Sequence, residues 1–258
     1  VSASVARHDE ARGVATLRDW LRDGEYTLTL SSGFFGFYAH AGVLSVLEEE
    51  KLPPSRLTGS SAGALVAGAY AAGIGTEKLA GELFALRREH FWDPAPGAGL
   101  LRGKRFRAHL ASLLPVHSFD ECRLPLRVSV YDLASRQTRV LGARGDLVSA
   151  IHASCAVPFM FQPVWIDGRP HVDGGVADRH GLAGAIEGER VLYHHLASRS
   201  PWRRVNSPSL RVPVRLGLTA LVLDGLPRVG PFRLEEGRRA FDVARRTTRA
   251  LLDRPVAT

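Results

Sequence analysis

Ser61 stands at the centre of Gly59-Ser60-Ser61-Ala62-Gly63, a G-x-S-x-G pentapeptide. A hydroxyl is a weak nucleophile unless a base takes its proton and donors receive the charge that builds on the attacked carbonyl. The sequence offers candidates for both. Asp173 opens an Asp-Gly-Gly turn with Gly174 and Gly175, and two glycines behind a carboxylate let another backbone or a substrate come close. His171, His180, His194 and His195 also follow the serine, and each is of a type that can act as base. For the donors, Ser31-Ser32-Gly33-Phe34-Phe35-Gly36 is a small-residue loop that can present backbone N–H groups. The chemistry such residues share is acyl transfer through a serine.

The elements needed to hold these groups are written around them. A nucleophile elbow requires a strand before the serine and a helix after it, with almost no side chain two positions to either side. Ser55-Arg56-Leu57-Thr58 is β-prone, and Ala64 to Ala72 is small, apolar and helix-compatible. Gly59 and Gly63 meet the steric demand, and Ser61 is expected in a strained conformation at a helix N-terminus, where the dipole favours negative charge. Upstream, residues 5–23 place Val14, Leu17, Trp20 and Leu21 at helical spacing, with Gly24 as a stop. Tyr26 to Leu30 reads as a strand leading into the serine-glycine loop, and Phe37 to about Glu50 as a helix closed by Pro53-Pro54. Strand, turn, helix, strand, elbow, helix is a βαβα opening, which implies a parallel sheet.

Further along, a helix is expected over residues 76–90, an irregular segment over 91–102 and a basic helix from near Lys104. Leu126–Tyr131 and Thr138–Leu141 read as a strand pair, Asp146–Cys155 as a short helix, and Phe159–Gln162 and Val164–Ile166 as the approach to a turn at residues 167–170. Val191–Leu196 and Ala220–Leu223 read as strands, residues 225–233 as a loop, and 235–253 as an arginine-rich helix with Ala240, Phe241, Ala244, Leu251 and Leu252 inward. No repeat or composition break divides the chain. A single domain over 1–258 is expected, with an N-terminal helix to 24, a catalytic core over 25–180 and C-terminal strands and a helix over 181–258.

The 258 residues are 45% hydrophobic and 23% charged, a globular composition with no apolar run long enough for a transmembrane helix. Cys122 and Cys155 lack metal or redox spacing and read as buried small residues. The net charge of +8 is carried almost entirely by arginine, the lysines being Lys51, Lys78 and Lys104. No zinc spacing or basic–aromatic motif points to nucleic acid, so an anionic lipid surface is the expected partner of this charge. Leu100-Leu101 beside Arg102, Lys104, Arg105 and Arg107, and the Phe91-Trp92 pair, could enter such an interface. No leader is visible, and a cytoplasmic location with peripheral membrane contact is expected.

The three chemical pieces occur in one order: Gly33, then Ser61 28 residues later, then Asp173 112 residues after that. In this the chain resembles the patatin-like phospholipase family, which carries a glycine-rich oxyanion loop, a G-x-S-x-G elbow and an aspartate in D-G-[GA]. The stretch Ala153-Ser154-Cys155-Ala156-Val157-Pro158, running through Pro163 and Asp167-Gly168 to Asp173, is also similar. The likeness covers about residues 26–180. It departs at the loop, where the common pattern is G-G-G-x-[RK]-G. Here Ser31, Ser32 and Phe35 stand at two glycines and the basic residue, closer to the animal lipid-droplet lipase branch.

The resemblance implies a three-layer α/β/α fold with a mostly parallel central sheet. It implies a Ser61–Asp173 dyad in direct contact, with the N–H groups of Gly33, Phe34 and Gly36 as the oxyanion hole. No metal or cofactor is implied, and the implied substrate is a fatty-acyl ester of a phospholipid or other glycerolipid. The alternatives are an α/β-hydrolase esterase with a Ser–Asp–His triad, and a catalytically silent lipid-binding scaffold.

Overall fold

The alternation Thr27-Leu28-Thr29-Leu30 puts leucines on one face of a strand and threonines on the other. Its neighbours continue that division, with Leu57 and Leu126 on one face and Thr58 and Arg127 on the other. The computed structural model describes residues 15–196, 207–223 and 225–256. In chain order its elements are α1 (Leu17–Arg22), β1 (Thr27–Leu30), α2 (Phe37–Glu49), β2 (Arg56–Ser60), α3 (Ala62–Ala71) and α4 (Thr76–Phe84). Then come β3 (Gly99–Leu101), α5 (Lys104–Leu113), β4 (Leu126–Asp132), β5 (Gln137–Gly142), α6 (Leu147–Ser154), β6 (Phe159–Phe161), β7 (Val164–Ile166) and β8 (Arg169–Asp173). The last are β9 (Val191–Leu196), β10 (Leu218–Leu223) and α7 (Glu236–Leu252).

The main sheet runs β10-β9-β1-β2-β4-β8-β7, with β5 also on β4. The five strands from β10 to β4 are mutually parallel, so the sheet is mixed but mostly parallel. Register carries the alternation across it. Leu28 sits beside Leu57 and Leu192, and Leu57 beside Leu126, whereas Thr29 sits beside Thr58 and Tyr193, and Thr58 beside Arg127. Helix α3 lies against β1, β2 and β4, flanked by α2 and α6. The threonine side is covered by the chain after β8, where Thr58 donates to the Gly181 carbonyl and Arg127 to the Gly184 carbonyl.

β4 sets the geometry of the site. β5 pairs with one edge of it from Arg127 to Asp132. The other edge is divided: β2 takes Leu126 to Ser129 in parallel, and β8 takes Val130 to Asp132 antiparallel. β2 and β8 therefore run toward each other along one edge. β2 ends at Ser60 beside Ser129, and β8 ends at Asp173 beside Val130.

Helix α2 is buried along Phe37 to Leu47, and a helix apolar all round needs cover on its outer side too. α7 supplies it, with Ala240, Phe241, Ala244 and Leu252 inward and Leu251 only partly buried. Gly42 permits the close approach, since a Cβ there would lie 2.6 Å from the Phe241 carbonyl oxygen. At the rim, Arg245 grips Glu49 through both carboxylate oxygens, at 2.5 and 2.9 Å.

Several expectations change. The first helix begins only at Leu17, where Thr16 and Asp19 form a reciprocal cap; Val14 and the stretch before it lie outside the described residues. The helix expected over 76–90 ends at Phe84, and a single 3-10 turn follows at Arg88–His90. The segment read as irregular holds β3, which pairs in parallel with β6 as a separate two-stranded sheet. That pairing buries Leu101, and Phe91 is buried as well, so of the two apolar pairs read as interfacial only Leu100 is exposed and Trp92 half-buried. Cys122 and Cys155 are partly rather than fully buried. Among the described residues no helix is long and apolar enough to cross a membrane.

Candidate active site

Ser61 has φ 55° and ψ −123°, a conformation that costs a non-glycine residue about 1–3 kcal/mol and persists only where its surroundings enforce it. Crowding enforces it here. A Cβ on Gly59 would lie 2.6 Å from the Gly63 carbonyl carbon, and one on Gly63 would run into the Leu30 carbonyl. The elbow is also tied from below. The Ser61 N–H donates to Ser154 Oγ at 2.8 Å, and the Ser154 hydroxyl donates to the Ser129 carbonyl at 2.7 Å. The Ser61 carbonyl accepts from the Leu65 N–H at 3.1 Å and from the Cys155 thiol at 3.2 Å. Burial and the nearby Asp173 charge push the Cys155 thiol well up, so it stays protonated and acts as a donor.

The divided edge of β4 brings Asp173 to the serine. Ser61 Oγ donates to Asp173 Oδ2 at 2.6 Å, and Asp173 Oδ1 accepts the Gly175 N–H at 2.7 Å. Both side chains are enclosed, with 7% of Ser61 and 4% of Asp173 exposed. The two glycines are sterically required. A Cβ on Gly174 would collide with the Ser129 carbonyl and lie 2.8 Å from Ser60 Oγ, while one on Gly175 would meet the Ser32 hydroxyl.

The histidines raised as bases are engaged elsewhere. His171 Nδ1 pairs with the Arg169 carbonyl at 3.0 Å. His180 and His195 each place Nδ1 2.8 Å from the Tyr193 hydroxyl. His194 pairs through Nδ1 with His40 Nδ1 at 2.8 Å, and His40 Nε2 lies 2.8 Å from the Ser31 carbonyl. A carbonyl only accepts, so His40 carries its proton on Nε2 and receives the His194 Nδ1–H. Burial holds both rings neutral, lowering His40 to about 4 and His194 well below its usual range.

The loop before α2 presents donors. The Gly33 and Phe34 N–H groups have no acceptor among the described residues. The Gly36 N–H, expected as a third donor, is instead turned inward and donates to the Gly33 carbonyl at 2.9 Å. Leu196 fixes the loop, because a Cβ on either Gly33 or Gly36 would strike its methyl group. Phe35 adopts φ 54° and packs on Phe34, Phe37 and Phe91. Where the common pattern carries a cation, an aromatic wall stands around Phe35. On the other side, α3 starts at Ala62 without a side-chain cap, so its first N–H groups lack intrahelical acceptors.

Gly33, Phe34, Ser61 and Ala62 share one cavity of about 100 Å³. Its walls are apolar: Phe35, Phe37, Leu65, Leu83, Phe106 and Leu110 among others, with Cys155, Val157 and Met160 closing it near the serine. Sequence reasoning missed this cavity and the support from Ser154. The stretch Ser154-Cys155-Ala156-Val157-Pro158 carried the signal, but nothing in residue type alone says that a serine will brace a backbone 93 positions away.

The chain is similar to known proteins. The patatin-like phospholipase family profile matches residues 28–186. Two uncharacterized NTE family proteins, from Mycobacterium bovis and Mycobacterium tuberculosis, are each 33% identical over 154 residues. Each alignment covers 58% of this chain and 42% of the relative, so the chain spans well under half the length of the curated proteins it matches. Among solved structures, VipD from Legionella pneumophila superposes with a TM-score of 0.53 at 14% identity, over 89% of this chain and 67% of that one, a likeness of fold. With the profile spanning both the serine elbow and the aspartate turn, the chain belongs to the patatin-like phospholipase family.

Proposed function

We propose that the protein is a lipid acyl hydrolase that cleaves fatty-acyl esters of phospholipids or other glycerolipids through a Ser61–Asp173 dyad. The observation that carries this is the 2.6 Å Ser61–Asp173 hydrogen bond opening onto an apolar cavity. Ser61 Oγ attacks the ester carbonyl carbon while its proton passes to Asp173 Oδ2. The oxyanion is received by the N–H groups of Gly33 and Phe34 and by the start of α3. Collapse breaks the ester C–O bond, and the leaving alcohol takes the proton from Asp173. The acyl chain, now on Ser61, lies in the apolar cavity. Water then gives a proton to Asp173 and attacks the acyl carbon. Collapse releases the fatty acid and returns the proton to Ser61.

A carboxylate is a weak base toward a hydroxyl, so proton transfer must proceed together with charge uptake by the oxyanion donors. In support of that coupling, Gly33 and Phe34 line the same cavity as Ser61. The test is covalent labelling with a fluorophosphonate followed by peptide mapping, run beside a panel of phospho- and neutral glycerolipids. The expected result is one adduct on Ser61, none on the buried Ser60, and release of fatty acid from at least one lipid class. Active protein without an adduct, or an adduct on Ser60, would overturn the assignment.

A further inference from the structure

Three large hydrophobic side chains are exposed on the donor loop and on the small β3–β6 sheet, both of which contribute residues to the cavity wall. Phe34, in the donor loop and in the cavity wall, is 54% exposed, Leu100 on β3 is 53% exposed and Phe159 on β6 is 75% exposed. Phe159 is held there against local preference. In a regular strand residues 159 and 161 share a face, yet Phe161 is buried. The difference is the φ of 65° at Phe159, a left-handed conformation disfavoured for a bulky side chain. On the paired strand, Gly99 and Leu101 are buried and Leu100 points outward. The small sheet thus has a packed underside and exposed apolar side chains at Leu100 and Phe159.

The chain around this small sheet is strongly cationic. Between residues 87 and 107 six basic side chains stand against two acidic ones. Arg102 and Lys104 are exposed and have no ion pair among the described residues. A second cavity, of about 280 Å³, is lined by Arg87, Arg88, Glu89, Trp92 and Arg105. Its arginines are partly set in place: Arg88 lies 5.6 Å from the Trp92 ring centre, Arg105 donates to the Glu89 carbonyl at 3.3 Å, and Arg87 holds the Glu89 carboxylate at 3.8 Å.

We propose that this face docks on an anionic phospholipid surface, with Phe34, Leu100 and Phe159 entering the acyl boundary and the arginine cavity receiving a headgroup phosphate. Exposed apolar side chains beside unpaired cations match the two terms of interfacial binding, buried apolar area and attraction to anionic headgroups. The inference rests on the lipid-hydrolase reading, because docking here sets the cavity beside Ser61 against the membrane.

The test uses the Ser61→Ala protein, so that vesicles stay intact, sedimented with phosphatidylcholine vesicles and with equal mixtures of phosphatidylcholine and phosphatidylglycerol. The mixed vesicles should bind about tenfold or more tightly, and the difference should shrink as salt shortens screening from about 10 Å at 0.1 M to 3 Å at 1 M. Adding Phe159→Asn should lower binding about tenfold. It should not lower Tm, since asparagine tolerates the left-handed backbone. Leu100→Ser should lower binding similarly, and Arg88→Glu should remove much of the anionic preference.

Equal binding to both vesicle types, or unchanged binding by both Phe159→Asn and Leu100→Ser, would overturn the proposal. Release from vesicles by inorganic phosphate, where chloride of equal ionic strength has no effect, would reassign the arginine cavity to free phosphate. Hydrolysis of a water-soluble short-chain ester by the unsubstituted protein reads Ser61 chemistry separately. Its failure with vesicle binding intact would fell the hydrolase reading alone, and its success without vesicle binding would fell the docking surface alone.

Discussion

The junction on β4 and the aromatic ground around β3 and β6 are built on different rules. At the junction the tight contacts are made to fixed groups, and Gly63, Gly174 and Ser154 each answer a specific contact with the Leu30 carbonyl, the Ser129 carbonyl or the Ser61 N–H. Around the cavity, contacts are side chain to side chain among Phe35, Phe37, Phe91, Phe106 and Phe161, where shape and volume matter more than identity. The difference teaches where substitution should stop the chemistry outright and where it should only redirect it.

The largest effect belongs to the junction. Asp173→Asn should lower kcat by about 10⁴-fold while the protein stays folded, because the serine loses its proton acceptor. His171, His180, His194 and His195, each changed to Ala, should retain most activity in folded protein. Loss of about 10³-fold at any one of them would break the comparison by putting an imidazole into the mechanism.

Acid should act on both regions through buried neutral histidines. His40 lies beside the donor loop and His152 beside Phe106 in the cavity wall, and burial lowers both to about 4. The unfolded chain takes up these protons near its ordinary value of about 6.5 while the native state resists until about 4. Stability is therefore fully present above 6.5 and falls as pH drops through that window. Denaturant titrations at pH 7 and pH 5 should differ by about 2 kcal/mol per histidine, and His152→Leu should narrow the gap. A gap that His152→Leu leaves unchanged would remove that residue from the account.

Ser154→Ala sharpens the junction side. It strands the Ser61 N–H without its acceptor, an expected cost of about 1–3 kcal/mol, read as a 10–10²-fold loss in kcat with fluorophosphonate labelling slowed in step. On the cavity side the effect should be smaller and selective. Leu113→Trp, at a half-buried wall position, should lower kcat/KM for long acyl esters about tenfold and leave short ones nearly unchanged. Equal losses on both ester lengths would mean that the wall also supports the chemistry.

The same contrast explains what could be read from the residues alone. Gly59, Gly63, Gly174 and Gly175 are visible because close backbone approach admits one residue type, and the parallel βαβα opening follows from strand and helix patterns around them. The direction of the Gly36 N–H depends on how the loop closes on the Gly33 carbonyl, which residue type does not encode. β3 and β6 are three residues each, too short for a period, and Gly99 disguises the first as a loop. Leu101 and Phe91 then looked like surface anchors, because only the unseen pairing with β6 and the aromatic wall give them an interior.

The head-on meeting of β2 and β8 also has a consequence in time. Ser61 is synthesised long before Asp173, and the strands that shape its elbow, β1, β2 and β4, are complete by Asp132. The carboxylate arrives only when a strand 112 positions downstream of the serine docks on the remaining half of the β4 edge. On the proposed dyad, a chain in which β8 has not docked has no proton acceptor for Ser61. Hydrolytic competence would then wait for β8 to dock on β4, and a chain folded only as far as the elbow would not yet attack the lipids around it.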